Sequence, residues 1–187
     1  MTLKIDLIKN DNKVFIETGT FNGGGVINAL NEGYQKIISI EIYDPMYQEC
    51  LQKFEGEIRS GRVQLHHGDS SVIIGKIVSQ IDEPITYWFD AHDQSMNGGG
   101  VGKLKCPIIV ELEQIIANRP SELRKKDVIL IDDMRLIEAS WQSDWGVDMT
   151  KFYGYLWEYN KDFIITREEG HIPGDILMCR PRIFSDL

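Results

Sequence analysis

Apolar residues in this chain gather into short runs, with stretches of helical spacing between them. Val14-Phe15-Ile16, Lys36-Ile37-Ile38-Ser39-Ile40-Glu41, Arg62-Val63-Gln64-Leu65-His66, Ile85-Thr86-Tyr87-Trp88-Phe89 and Val128-Ile129-Leu130-Ile131 have the length and the β-branched or aromatic content of strands. Residues 26–30 read as a helix. So does the stretch opened by Pro45, which carries Met46, Cys50, Leu51 and Phe54 at helical spacing. Asp69 and Ser70 are N-cap types for a helix over 72–78. Residues 106–117 put Ile108, Ile109, Leu112, Ile115 and Ile116 on one face, and residues 149–157 form a further helix. Runs at 163–166 and 175–179 flank Gly170, Pro173 and Gly174 and predict a closing hairpin. Five β-then-α units and a hairpin predict one α/β domain over residues 1–187, a sandwich around a mostly parallel sheet.

Composition narrows the classes. With 187 residues, 42% hydrophobic and 26% charged, the chain is long enough for a core and ordinary for a globular protein. Lys and Arg number 20 against 29 Asp and Glu, a formal net charge of -9, which repels phosphate backbones and argues against nucleic acid as partner. Cys50, Cys106 and Cys179 form no CxxC pair, so a reducing, cytoplasmic location is expected. No apolar run reaches the roughly 18 residues of a membrane span, and the first twelve residues lack the apolar centre of a signal peptide.

Candidate chemistry stands where the strands end. The first strand runs into Glu17-Thr18-Gly19-Thr20-Phe21-Asn22-Gly23-Gly24-Gly25. This is neither the G-x-G-x-x-G of a dinucleotide site nor a P-loop, so a nicotinamide-dependent reductase is excluded. Its glycines let a ligand approach the backbone, and its acid suits a cofactor bearing a positive charge. Glu41 ends the second strand, where a carboxylate can accept both ribose hydroxyls. Gly68-Asp69-Ser70 follows the third, within reach of a nucleobase edge. Taken singly, an acid at a strand end is most often a solvated cap; four in register are harder to explain that way.

Ile16-Glu17-Thr18-Gly19-Thr20-x-x-Gly23-Gly24, Ile40-Glu41-Ile42, Gly68-Asp69-Ser70 and Phe89-Asp90 together resemble the motifs of class I S-adenosylmethionine-dependent methyltransferases. The resemblance spans roughly residues 12–180. It implies a Rossmann-like seven-stranded sheet whose last strand is antiparallel. It also implies S-adenosyl-L-methionine as cofactor, bound by Glu17, Thr18, Gly19, Thr20, Gly23, Glu41, Ile42, Gly68, Asp69, Ser70 and Asp90.

A second constellation follows the fourth and fifth strands: Asp90-Ala91-His92 and Asp132-Asp133. Neighbouring strand ends would press three carboxylates together, and a hard divalent cation is the usual relief. Mg²⁺, or Mn²⁺, on Asp90, Asp132 and Asp133 would lower the pKa of a bound hydroxyl, and His92 is placed to take its proton. The pattern is similar to that of metal-dependent sugar O-methyltransferases of the macrolide and aminocoumarin type, with His92 where the family's base is an Asp and with no helices ahead of the first strand. The resemblance implies a sugar or glycan hydroxyl as acceptor. A catechol-like acceptor, or a non-catalytic subunit of the same fold, stands as the alternative. Asp-Asp after a strand also reads as a plain turn and cap, and His92 as a structural histidine.

Late aromatics divide in the same way. Phe152 and Trp157 are expected in the core, while Trp141 and Trp145 are open between core and an acceptor floor. Arg135 is open between an acceptor contact and the surface. His66 and His67 are expected to be structural and His171 solvated. The run at 97–102, Asn-Gly-Gly-Gly-Val-Gly, is either a lid over the crevice or a passive insertion. The oligomeric state is open, a homodimer among the options.

Overall fold

The computed structural model describes residues 10–93, 102–138 and 145–182. The expected runs become strands β1 (Val14–Thr18), β2 (Lys36–Glu41), β3 (Val63–His67), β4 (Ile85–Phe89), β5 (Val128–Ile131), β6 (Phe163–Glu168) and β7 (Ile176–Pro181). The helices are α1 (Gly24–Asn31), α2 (Asp44–Lys53), α3 (Glu55–Arg59), α4 (Ser70–Val78), α5 (Ile108–Asn118), α6 (Ser121–Arg124), α7 (Met134–Glu138) and α8 (Met149–Tyr159). Sequence periodicity does not predict α3, α6 and α7, each of five residues or fewer. They are too short to show a repeat.

Among the described residues the strands form one sheet in the order β3-β2-β1-β4-β5-β7-β6. β1 pairs in parallel with β2 and β4, and β4 with β5; β7 runs antiparallel between β5 and β6. The strand order reverses between β1 and β4, and ligands of open α/β sheets bind beyond the carboxyl ends at such a point.

Both faces are covered, so β1, β4 and β5 are buried at every position. Their alternation sorts the core. Phe15, Trp88 and Leu130 lie on one face with Val26, Cys50 and Phe54. Ile16, Tyr87, Phe89 and Ile131 lie on the other with Ile74, Leu112 and Phe152. Trp157, expected in the core, is 61% exposed. The phase of α8 turns Phe152, Leu156 and Tyr159 inward, leaving Trp157 outside with Lys161 Nζ 4.5 Å over its ring.

Backbone hydrogen bonds lace the carboxyl ends of five strands together. Gly68 N–H donates to Glu41 O (2.9 Å), Gly19 N–H to Ile40 O (2.9 Å), Asp90 N–H to Thr18 O (3.1 Å) and Asp132 N–H to Phe89 O (3.0 Å). No helix among the described residues is long and apolar enough to cross a membrane.

Candidate functional site

The turn after β1 is built around two glycines that tolerate no side chain. Gly19 has φ +85°, and a Cβ there would stand 2.8 Å from the Asp90 carbonyl oxygen. At Gly25 a Cβ would stand 1.7 Å from Glu17 Oε2. Glu17 therefore lies under the start of α1, 1% exposed. Its Oε1 accepts from Ser39 Oγ at 2.7 Å, and the Val26 N–H also donates to it. Burial pushes its carboxyl up to about 8, with the charges of Asp90 and Glu41 adding to the rise. Thr20 Oγ1 meets Ser39 Oγ at 2.5 Å, and Thr18 is fully buried. Gly23, with φ +79°, caps α1 and packs on the Phe54 ring.

Glu41 projects from the end of β2. Its Oε2 accepts from Phe21 N–H at 2.8 Å and its Oε1 from Tyr43 N–H at 2.7 Å. Each carboxylate oxygen keeps a second lone pair. Asp69 caps α4: its Oδ1 accepts from Ser71 N–H (3.0 Å) and from Ser71 Oγ (2.6 Å). Ser70 is the first residue of α4. The glycine-rich run at 97–102 lies outside the described residues except for Gly102. A Cβ on Gly102 would stand 3.3 Å from Ile42 Cδ1 and 3.4 Å from Asp69 Oδ2. Asp93 N–H donates to Lys105 O at 2.7 Å.

The ends of β4 and β5 do bring Asp90, His92 and Asp133 together. His92 Nε2 is 3.0 Å from Asp133 Oδ2 and 3.8 Å from Asp90 Oδ1. One ligand atom from each of the three lies within 4.8 Å of the others. Asp132 groups instead with Asp133 and Asp175, and its Oδ1 accepts from Asp133 N–H at 2.8 Å. Asp133 has φ +57°, a left-handed conformation that a non-glycine residue adopts at a cost.

Arg135 supplies what sequence reasoning missed. Its Nη1 donates to Asp133 Oδ1 at 2.6 Å and also to Asp175 Oδ2, while its N–H donates to Asp175 Oδ1 at 2.9 Å. Part of the expected carboxylate repulsion is thus answered by a guanidinium. Asp175 is 40 residues away in sequence, beyond α8 and β6, so no local motif signals the pairing.

The electrostatics follow from these contacts. Burial works to raise Asp133, but the hydrogen bonds and charges of His92 and Arg135 prevail and hold its carboxyl below the ordinary value. Burial disfavours the His92 cation, yet its bond to Asp133 and the charges of Asp90 and Asp133 keep it above the ordinary histidine value. Asp90 is raised by burial and by the Asp132 charge, with His92 opposing. Burial raises Asp132 to about 7.

Trp145 stacks on the His92 ring at 4.9 Å with 26° between planes. Trp141 lies outside the described residues. His66 is half-buried, His67 stacks on Tyr47 at 4.9 Å, and His171 is exposed.

No family model matches the chain, and no curated protein matches it. Solved structures do. An O-methyltransferase from Bacillus cereus in complex with S-adenosylhomocysteine superposes with a TM-score of 0.57 at 14% identity, over 91% of this chain and 74% of that one. The O-methyltransferase TomG from Streptomyces achromogenes, involved in tomaymycin synthesis and bound to S-adenosylmethionine, gives 0.55 at 14%, over 91% and 74%. An rRNA methylase from Streptococcus thermophilus gives 0.52 at 13%, over 96% and 92%. The chain has the class I methyltransferase fold. In that fold's terms, six strands share one direction and β7 opposes them, as the sequence resemblance implies. The likeness is one of architecture, so the chemistry rests on the site itself.

Proposed function

We propose that this chain is an S-adenosylmethionine-dependent O-methyltransferase acting on a sugar or glycan hydroxyl. The observation that carries the reading is the His92–Asp133 contact of 3.0 Å, set at the strand ends beside Asp90 and one strand from the β1 turn. Bound S-adenosylmethionine supplies an electrophilic methyl group on a sulfonium.

The residues present fit that cofactor. Glu41, fixed by two backbone N–H groups, has lone pairs left for two ribose hydroxyls. Asp69, Ser70 and Ile42 would meet the nucleobase, with Gly68 placing the turn. Thr18, Gly19 and Thr20 bring backbone to the methionine part, Gly23 closes the turn, and Asp90 faces it from β4. Glu17, its Oε1 bonded to Ser39 on β2, lies beneath Gly25 at the start of α1 and would meet the methionine part from below the turn. On the acceptor side, neutral His92 donates Nε2–H to Asp133, which leaves Nδ1, 3.3 Å from the Asp93 carbonyl oxygen, as the nitrogen that takes the hydroxyl proton while the oxygen gains its methyl group. Asp133 stabilises the imidazolium that results. Trp145 offers an aromatic face beside His92 for a sugar ring.

A divalent cation fits the same corner, because Asp90, His92 and Asp133 present three donor atoms within 4.8 Å. Such a cation would make a bound hydroxyl more acidic and orient it. An imidazole in the set favours Mn²⁺ over the all-oxygen preference of Mg²⁺. Asp132 would then act from behind Asp133. The charge of -9 argues against a nucleic-acid acceptor despite the rRNA methylase likeness, and three free cysteines suit the cytoplasm.

The test is transfer of a labelled methyl group from S-adenosylmethionine to nucleotide sugars, reducing sugars or catechol, with and without EDTA. Transfer to a sugar is expected, and His92→Ala should slow it by roughly 10²–10⁴ while S-adenosylhomocysteine still binds. Loss with EDTA, restored by Mn²⁺, makes a divalent cation part of the transfer. Methylation of catechol alone would move the acceptor class. A wild-type protein that does not bind S-adenosylhomocysteine removes the reading altogether.

A further inference from the structure

The turn between β1 and α1 holds a strain that side-chain packing does not explain. Gly23 N–H donates to Thr20 O at 2.8 Å, so residues 20–23 form a tight turn with Phe21 and Asn22 at its centre. Phe21 has φ +47°. A positive φ at the first central residue of such a turn ordinarily falls to Gly, Asn or Asp, and a bulky side chain there is an outlier. The Phe21 ring is 52% exposed, so burial of the ring does not account for it.

Backbone contacts account for it instead. Phe21 N–H donates to Glu41 Oε2 at 2.8 Å. From the other side, two residues of α2 reach the carbonyls of the turn. Cys50 Sγ donates to Phe21 O at 3.3 Å, and Lys53 Nζ donates to Asn22 O at 2.7 Å. The turn also lies flush on the end of this helix, where a Cβ on Gly23 would stand 2.5 Å from the Phe54 ring. A thiol is a weak donor and an ammonium a strong one, so Lys53 is the main hold from outside. A strained backbone persists where its surroundings over-determine it. Here those surroundings are the proposed ribose carboxylate on one side and α2 on the other.

We propose that Lys53 is a positioning residue for the cofactor: from α2 it holds the 20–23 turn in its left-handed form and so keeps Phe21 N–H on Glu41. The proposal rests on the S-adenosylmethionine reading above. Without Lys53, Phe21 relaxes toward negative φ and its N–H turns from Glu41. The carboxylate then loses one of the two donors that fix it for the ribose hydroxyls. Lys53 is exposed, so its replacement leaves the core in place.

The experiment is calorimetric titration of S-adenosylhomocysteine into the wild type and Lys53→Met, repeated with Phe21→Gly and with Phe21→Asn as the starting protein, and a thermal melt of each. Glycine and asparagine accept a left-handed backbone, so neither needs the clamp. Wild-type binding is read first; its absence overturns the functional reading and not this one alone. Given binding, Lys53→Met should weaken affinity about fivefold while the melting temperature stays within about 2 °C. With Gly or Asn at position 21, the same change at Lys53 should cost less than about twofold. A lysine that acts by its charge on the ligand gives the same loss in all three proteins, and that result overturns the proposal. Wild-type affinity in Lys53→Met overturns it too, whether or not the melting temperature falls.

Discussion

At the amino ends of β4 and β5, Asp127 is fully buried and fully answered. Arg119 Nε and Nη2 donate to its two oxygens at 2.6 and 2.8 Å, Tyr159 Oη donates at 2.5 Å, and Ile85 N–H donates at 2.7 Å. Nη1 and the second Nη2 hydrogen go to the Ile81 and Glu83 carbonyls. At the carboxyl ends, Glu17, Glu41, Asp90, Asp132, Asp133 and Asp175 crowd the rim, and Arg135 is the cation that reaches Asp133 and Asp175. The first arrangement closes on itself and has nothing left to offer a ligand. The second is short of donors and positive charge, so several of its acids hold protons or wait for a partner. Buried charge serves as architecture at one end of this sheet and as chemistry at the other.

The largest effect should come from breaking the closed end. Arg119→Met leaves the buried Asp127 carboxylate without its cation, with only Tyr159 and Ile85 N–H still donating to it, which costs about 3–5 kcal/mol and lowers the melting temperature by roughly 10 °C or more. Circular dichroism melts check this. S-adenosylhomocysteine affinity, measured well below the new transition, should stay at the wild-type value; a parallel loss would mean the two ends are not independent.

A smaller effect sharpens the view of the open end. Glu17 has a folded value of about 8 against an ordinary 4.5, so the folded state holds the proton more tightly than the unfolded one. Its contribution is complete below the unfolded value and is lost as pH rises through 8. Between pH 6 and 8 the loss is roughly 2–3 kcal/mol. Urea midpoints should fall across that range, and Glu17→Gln should flatten the fall. An unchanged slope would place the titration elsewhere on the rim.

The smallest effect concerns affinity alone. Glu41→Ala should weaken S-adenosylhomocysteine binding by roughly tenfold or more through lost charge-assisted hydrogen bonds, read by calorimetry. Unchanged affinity would take Glu41 out of the proposed site.

Strands β1, β2, β4 and β5 were legible because each is a buried run ending at an acid or a glycine turn, β3 because its residues alternate ahead of Gly68, and the hairpin because its turn residues are unambiguous. The acids of the rim were legible as a set, since topology alone puts strand ends side by side. Their pairing was not. Which of Asp132 and Asp133 faces His92 depends on the left-handed backbone at Asp133, and no composition signals that. Arg135 reads as a surface residue until β7 brings Asp175 to it. Trp157 errs the other way: an aromatic in an amphipathic helix is expected inside, and only the phase of α8 turns it out.

The lacing of the five strand ends bears on how such a protein diversifies. Residues 17–20, 41, 68–70, 90–92 and 132–133 come from distant stretches of chain, yet the bonds that hold them in register run from backbone to backbone. Rim side chains that make no backbone bond of their own can therefore be exchanged without loosening the strand-to-strand frame. A frame held in this way can carry different side chains, and so different acceptors, on one architecture.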